Sequence, residues 1–407
     1  MLDASLVTPE FLADPYPVLA QLREEDPVHW SDAIGGWVLT RYEDVVQSFM
    51  DVPHFTSEGR LAKVLDHLPE ESRAKLPRFG AWYSRKSLIF SDPPDHTRLR
   101  RLVLHSAFLP GQVAAMRPRI EAIVAELLDA VEGDGGMEAI GSFAFSLPAL
   151  VLCDLLGLPA SDRQLFRGWA DRVLAFQGVN TPSEHLLQDA QQALDETTAY
   201  LIERIGEIRR NPDAHEGLLS RLVAAESTGD ALTQQELIQT THTMLVAGHE
   251  TTTSLIGNGL LTLLRNPAQW ELIRKDRSLL PAAIEEVLRF ESPVARQPRV
   301  VKQDAELAGK QLRAGQVVFQ MLNAANRDPA QFEDPDRFDI RRSGSRHIAF
   351  GHGIHFCLGA PLARLEGQVA FGAILDRLPG IRLVDDTANW DVQKRNSRVL
   401  RTLPVQF

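Results

Sequence analysis

The chain has 407 residues, 44% of them hydrophobic, enough to bury a sizeable core, and its 54 acidic against 43 Lys and Arg side chains leave a net charge of −11. That balance argues against nucleic acid as a partner, because phosphate binding wants an electropositive face. Two cysteines cannot make a disulfide framework and point to a reducing, cytoplasmic compartment, and no apolar run approaches the ~20 residues of a membrane span, so neither a secreted nor a membrane-anchored protein is expected.

In chain order, "GGWVLTRY" (35–42) is the first strand signal. The stretch "DPPDHTRLRRL" (92–102) is locally basic, and "MRPRIEAIVAELLDAVE" (116–132) carries apolar residues at the three-and-four spacing of an amphipathic helix. Cys153, inside "LPALVLCDLLGLP", reads as a small buried hydrophobe. A second amphipathic helix covers 194–210. The longest helical pattern opens at Thr233, where Thr233-x-x-Glu236 has the form of a capping box, and closes at Asn266 before Pro267. At 1.5 Å per residue it spans roughly 45 Å and must run through the core.

In the middle of that helix sits "AGHETTT" (247–253). A Thr251 hydroxyl bonding back to the carbonyl of Ala247 would bend or open the helix there, and Glu250, an acid in an apolar helix, is costly to bury without a purpose. Glu286 and Arg289 in "EEVLR" lie at i and i+3 on one helical face, able to pair. Further on, "AELAGKQL" leading into "AGQVVFQML" predicts a hairpin with Gly309-Lys310 as turn residues. No repeat, low-complexity tract or long linker divides the chain, so one compact domain over 1–407, mainly α with small β-sheets, is the expected fold class.

The second cysteine, Cys357, stands in "FGHGIHFCLG" (350–359), ahead of a helical pattern that begins at Leu358. A dinucleotide fingerprint fails on position, since its third glycine would fall at Phe356. Zinc on His352, His355 and Cys357 lacks a second ligand pair nearby. A nucleophilic cysteine with His355 as its base stays open. So does a thiolate on haem iron: glycines let the backbone pass close under a flat macrocycle, and a helix N-terminus stabilises a thiolate.

The pattern Phe350-x-x-Gly353-x-His355-x-Cys357-x-Gly359 resembles the haem-thiolate signature of the cytochrome P-450 superfamily, and further motifs follow in that family's order across most of the chain. The resemblance implies a haem b held between the long central helix and the cysteine-loop helix, with Cys357 as the iron ligand and Phe350 and Gly359 around it. It implies Ala247 and Gly248 against the haem, with Glu250 and Thr251 as the acid and alcohol that deliver protons to dioxygen. His96, Arg100, Arg299 and His355 would hold the propionates, Arg296 competing with Arg299. A partly buried network of Glu286, Arg289 and Arg337 would fix the core.

The implied activity is insertion of one oxygen atom from O2 into a hydrophobic small molecule, by hydroxylation or epoxidation, in secondary metabolism; polyketide, terpenoid, steroid and fatty-acid substrates all fit. Electrons would come from a ferredoxin and its reductase, since no flavin, nicotinamide or iron–sulfur signature for a fused reductase is present. Arg98, Arg101, Arg364 and "RRSGSR" (341–346) are candidate docking groups. The pocket is expected to draw on 54–94 and 165–190, on Met244, Ala247 and Gly248, and on Val294, Ala295, Val399 and Leu400. A peroxide-driven peroxygenase and a haem-thiolate sensor that oxygenates nothing are the alternatives. Glu250 and Thr251 count against both.

Overall fold

The computed structural model describes every residue except 1, 62–64, 67, 85, 177, 178, 180, 181, 226–231 and 345. Parts of the two expected pocket stretches, and residue 345 of the basic run, therefore lie outside the described residues. Chain contacts gather into two units: residues 1–55, 116–147 and 250–407 form the first, and residues 56–115 and 148–249 the second.

The first unit is organised around a mixed sheet. Val28–Ser31 and Gly36–Leu39 pair antiparallel, with Trp30 opposite Trp37, and the second of these strands runs parallel to Val317–Gln320. The next strand, Gln297–Val301, pairs antiparallel with Val317–Gln320 and sets Arg299 opposite Val318. Beta-branched and aromatic residues supply the buried face, where Val28, Leu39, Phe49, Val301, Val318 and Leu322 form one core cluster. The expected "GGWVLTRY" strand is thus present, shortened to four residues.

The expected hairpin needs correcting. It closes inside "AELAGKQL": Ala305–Leu307 pairs with Lys310–Leu312, and the turn residues are Ala308 (φ 47°) and Gly309 (φ 76°). Two successive left-handed residues are what a tight two-residue hairpin demands, and Lys310 already belongs to the strand. "AGQVVFQML" leaves this pair and joins the larger sheet.

Three helices of the first unit pack together. Arg117–Asp129 and Leu280–Phe290 both lie against the closing helix Ala360–Arg377. In the second unit, Glu184–Arg210 extends the expected 194–210 helix toward its N-terminus, where Ser183 caps it by accepting from Leu186 N–H. Helix Arg163–Ala175 packs on it, tied by Arg172 to Asp189 and Glu196 at 2.7 Å each. Cys153 is buried, and burial pushes its thiol up to about 11, in line with the packing role expected of it.

The long helix is Gln234–Arg265. The capping box is realised: Glu236 N–H donates to Thr233 Oγ1 at 3.2 Å and Thr233 N–H to Glu236 Oε2 at 2.8 Å. The chain is α-helical through 247–253. The first half of the long helix belongs to the second unit and its second half, from Glu250, to the first, where Thr252 to Leu263 are buried in succession. Among the described residues no helix is long and apolar enough to cross a membrane.

Candidate active site

The cysteine loop is a built piece of backbone. Ile348 N–H is held by Asn326 Oδ1 at 2.8 Å, Gly351 N–H returns to Ile348 O at 2.8 Å, and Cys357 N–H donates to Phe350 O at 2.9 Å. Gly351 and Gly353 take φ of 72° and 68°. A Cβ at Gly353 would also stand 2.9 Å from Phe49 O, so both conformation and space require glycine there. Gly359 occupies the N-cap of Ala360–Arg377, with Pro361 in the first turn, and Ala363 N–H donates to Gly359 O at 2.9 Å. Cys357 is thus an exposed thiol just ahead of a helix N-terminus.

Phe350, at the head of the loop, lies under the Arg364 guanidinium at 4.6 Å and beside Phe356 at 6.2 Å. Arg364 grips Glu285 through two bonds of 2.7 and 2.8 Å, and His347 Nε2 reaches the same carboxylate at 3.1 Å. Burial raises the Glu285 carboxyl, but these two partners overcome it and hold the group at about 2. Arg364 is accordingly a loop-fixing residue.

Glu250 and Thr251 are half-buried at the start of the first unit's share of the long helix. The carboxylate is compensated by a residue that sequence reading gave no sign of: Lys394 Nζ meets Glu250 Oε2 at 2.6 Å. Lys394 belongs to the turn 391–397. That turn joins two expected pocket segments, since Val294 bridges to Ser397 and Ala295 N–H donates to Asn396 O at 2.9 Å. Leu400 is buried, and a Cβ at Gly257 of the long helix would stand 3.9 Å from its Cδ1. Val399 lies beside it, half-buried.

The candidate propionate cations sit in separate units. In the first, Arg299 is buried on its strand with its guanidinium 5.1 Å over the Phe49 ring, and Nη1 donates to Pro298 O at 3.0 Å. Arg296 is buried 4.8 Å over Phe319, donates to Asn396 Oδ1 at 2.9 Å, and is pulled down to about 10 by burial and then by Arg395. His355 is half-buried in the cysteine loop. In the second unit, His96 and Arg100 share one face of helix Asp95–Val103, with His96 buried. Burial lowers the His96 pKa, Arg100 adds to this and Asp92 opposes it. Met244, Ala247 and Gly248 lie in the same unit, where a Cβ on Gly248 would press on Leu152 Cδ2 at 3.1 Å.

These residues suit the group the sequence implies. A soft thiolate, with a glycine two residues on whose absent Cβ would stand 3.9 Å from the sulfur, would suit the iron of a haem. Buried guanidiniums match carboxylate propionates.

The core network is present with one member changed. Arg289 and Glu286 are buried and doubly bonded at 2.8 Å, and the remaining guanidinium hydrogens go to the carbonyls of Asn326 (2.9 Å), Pro335 (2.8 Å) and Arg337 (3.2 Å). Arg337 contributes that carbonyl only: its side chain is 65% exposed and pairs with Asp339 and Asp334. The third side chain is Arg342, 10% exposed, whose Nε lies 3.3 Å from Glu286 Oε1. Of the expected docking groups, Arg98 is likewise engaged, by Glu236.

Comparison with known proteins agrees with this chemistry. The family model for cytochrome P-450 matches residues 165–406. The vitamin D(3) 25-hydroxylase of Pseudonocardia autotrophica is 42% identical, over 92% of this chain and 88% of the relative. The cytochrome P-450 monooxygenase PikC of Streptomyces venezuelae is 40% identical, over 94% and 88%. Among solved structures, P-450 BioI in complex with hexadec-9Z-enoic acid ligated acyl carrier protein superposes with a TM-score of 0.89 at 35% identity, covering 98% of this chain and all of that one. A full-length likeness at these identities, a glycine-cradled thiol ahead of a helix and an acid–alcohol pair on the long helix lead to one assignment: the chain belongs to the cytochrome P-450 family of haem-dependent monooxygenases.

Proposed function

We propose that Cys357 would supply the thiolate that holds the iron of a haem b, and that the enzyme inserts one oxygen atom of O2 into a hydrophobic product of specialised metabolism. The observation that carries the ligand assignment is the exposed Cys357 thiol, with its N–H tied to Phe350 O at 2.9 Å, in a loop whose glycines exclude side chains. When bound, the haem would supply the activation of dioxygen, with Cys357 as the thiolate that favours it. The chain's own residues hold, shield and supply protons. Arg100 and Arg299 would offer charged donors, and His96 and His355 ring N–H donors, for the propionates, with Arg296 beside Arg299 in the sheet region. Thr251 would offer its hydroxyl to dioxygen and an ordered water, and Glu250 would pass protons inward from solvent.

The segments 294–295 and 399–400, apolar and joined through the bridge of Val294 to Ser397, favour a substrate with an extended hydrocarbon surface. A vitamin D(3) hydroxylase among the relatives and a fatty-acyl carrier protein on a structural neighbour are consistent with a steroid-like, polyketide or acyl substrate. Electrons come from a separate ferredoxin and reductase, within a cytoplasmic setting. The surface groove lined by Pro93, Pro94, Thr97, Arg98 and Arg101 is the docking face we assign to the acidic ferredoxin.

The test is the absorption spectrum of the reduced protein under carbon monoxide. A strongly red-shifted Soret band is expected, and its loss in Cys357→Ser. An unshifted band in the parent, or a band unchanged in the variant, overturns the ligand assignment. Turnover that stops when the electron donor is withheld, and is not restored by peroxide, separates the monooxygenase from a peroxygenase or a sensor.

A further inference from the structure

Glu250 and Lys394 lie 144 residues apart in sequence and meet at 2.6 Å, with side chains 12% and 15% exposed. A lysine–carboxylate pair on an open surface contributes little, because a flexible four-carbon stem must be frozen in one geometry and solvent screens the charges. Here the frame is already rigid. Lys394 N–H donates to Asp391 O at 3.0 Å and Ser397 N–H to Lys394 O at 3.2 Å, which closes the turn. Its ends are fixed by Asp391 N–H on Val399 O (2.8 Å), by the bridge of Ser397 to Val294, and by Arg398 N–H on Pro293 O (2.8 Å). Asn258, two turns beyond Glu250 on the long helix, donates to Arg398 O at 2.9 Å and locks helix and turn together.

We propose that Lys394 is a positioning residue for proton delivery: it holds the Glu250 carboxylate in the orientation from which that acid passes protons toward Thr251. The proposal rests on reading Glu250 as the acid of the relay. With Oε2 held by the ammonium, Oε1 is the oxygen left for the relay: Glu250 takes one proton from solvent and gives one inward, ending unchanged. The turn that presents Lys394 continues into Val399 and Leu400. Substrate lying against those residues therefore bears on the same piece of backbone that orients the acid.

The experiment compares the holoenzyme with Lys394→Met, which keeps the stem and removes the charge, with Lys394→Arg, and with Lys394→Met combined with Glu250→Gln. The first readout is the infrared carboxylate band of Glu250 in the ferric holoenzyme, identified by its loss in Glu250→Gln. The second is the solvent deuterium isotope effect on NADPH consumption, with vitamin D3 as the probe substrate and a [2Fe–2S] ferredoxin and its reductase as donors. Lys394→Met is expected to move the band, slow consumption about ten-fold and enlarge the isotope effect. Lys394→Arg is expected to restore all three, and Lys394→Met to add nothing where Glu250 is already Gln.

A band and isotope effect at parent values in Lys394→Met overturn the proposal, as does an equal loss with and without Glu250. The carbon monoxide spectrum of each protein keeps the two readings apart. A parent lacking the red-shifted band refutes the haem-thiolate assignment. An intact band with a silent Lys394→Met refutes the positioning role alone.

Discussion

Arg289 shows what a buried charge in this chain requires. Its five N–H groups all find acceptors, two on Glu286 and three on backbone carbonyls, so burial leaves no donor unsatisfied. Glu286 in turn accepts from Asp339 N–H at 3.0 Å and from Arg342 at 3.3 Å. Arg342 also donates to the carbonyls of Glu333, Asp334 and Arg337, closing the loop that Arg289 organises. Two arginines five positions apart therefore carry different weights. Arg342→Ala should destabilise the protein by about 1–3 kcal/mol, because it strips a buried carboxylate and three carbonyls of a donor. Arg337→Ala should stay within about 0.5 kcal/mol, since its side chain makes only exposed pairs. Thermal denaturation of the two variants side by side checks the ranking, and equal losses would return Arg337 to the network.

At the scale of elements, the same residue type has opposite values on different helices. Gly259, on the long helix, faces the closing helix: a Cβ there would stand 2.6 Å from Phe371 Cζ and 3.0 Å from Val287 Cγ1. Gly206, on Glu184–Arg210, meets among the described residues the far end of the Arg210 side chain at 3.4 Å. Alanine improves intrinsic helix propensity by about 1 kcal/mol at either site, so Gly206→Ala should stabilise by roughly 0.5–1 kcal/mol. Gly259→Ala should destabilise by about 1–3 kcal/mol as two helices are forced apart. A melting temperature that rises for both would mean that the Phe371 ring yields without cost. The long helix itself was legible, cap included, because Thr233, Glu236 and Pro267 signal through local chemistry. The cysteine loop was legible because its glycines and Cys357 are fixed by one local geometry. What could not be read was pairing at a distance: nothing in "DVQKRNSRV" marks Lys394 as a partner of Glu250, nor does spacing choose Arg342 over Arg337. The hairpin turn was misplaced by one residue because Ala308, which rarely takes a positive φ, gave no turn signal.

For the stability of the whole molecule, two carboxyls pull in opposite directions as pH changes. Glu285, held at about 2 by His347 and Arg364 despite its burial, contributes stability that is present above the ordinary carboxylate value of about 4.5 and is lost as pH falls toward 2. Glu366, on the closing helix, is buried with Oε2 meeting no hydrogen-bond partner among the described residues, and burial pushes it up to about 8. Between about 4.5 and 8 the unfolded chain has released this proton while the folded chain retains it. The unfolded state then binds fewer protons, so stability declines as pH rises through the window, by up to about 1.4 kcal/mol per pH unit for a single group. Glu366→Gln keeps the shape and removes the titration. Its stability relative to the parent should therefore increase steadily from pH 5 to pH 8 and level off above. Melting temperatures of the two holoproteins across that range test this, and parallel profiles would show that Glu366 ionises in the folded protein as it does in the unfolded chain.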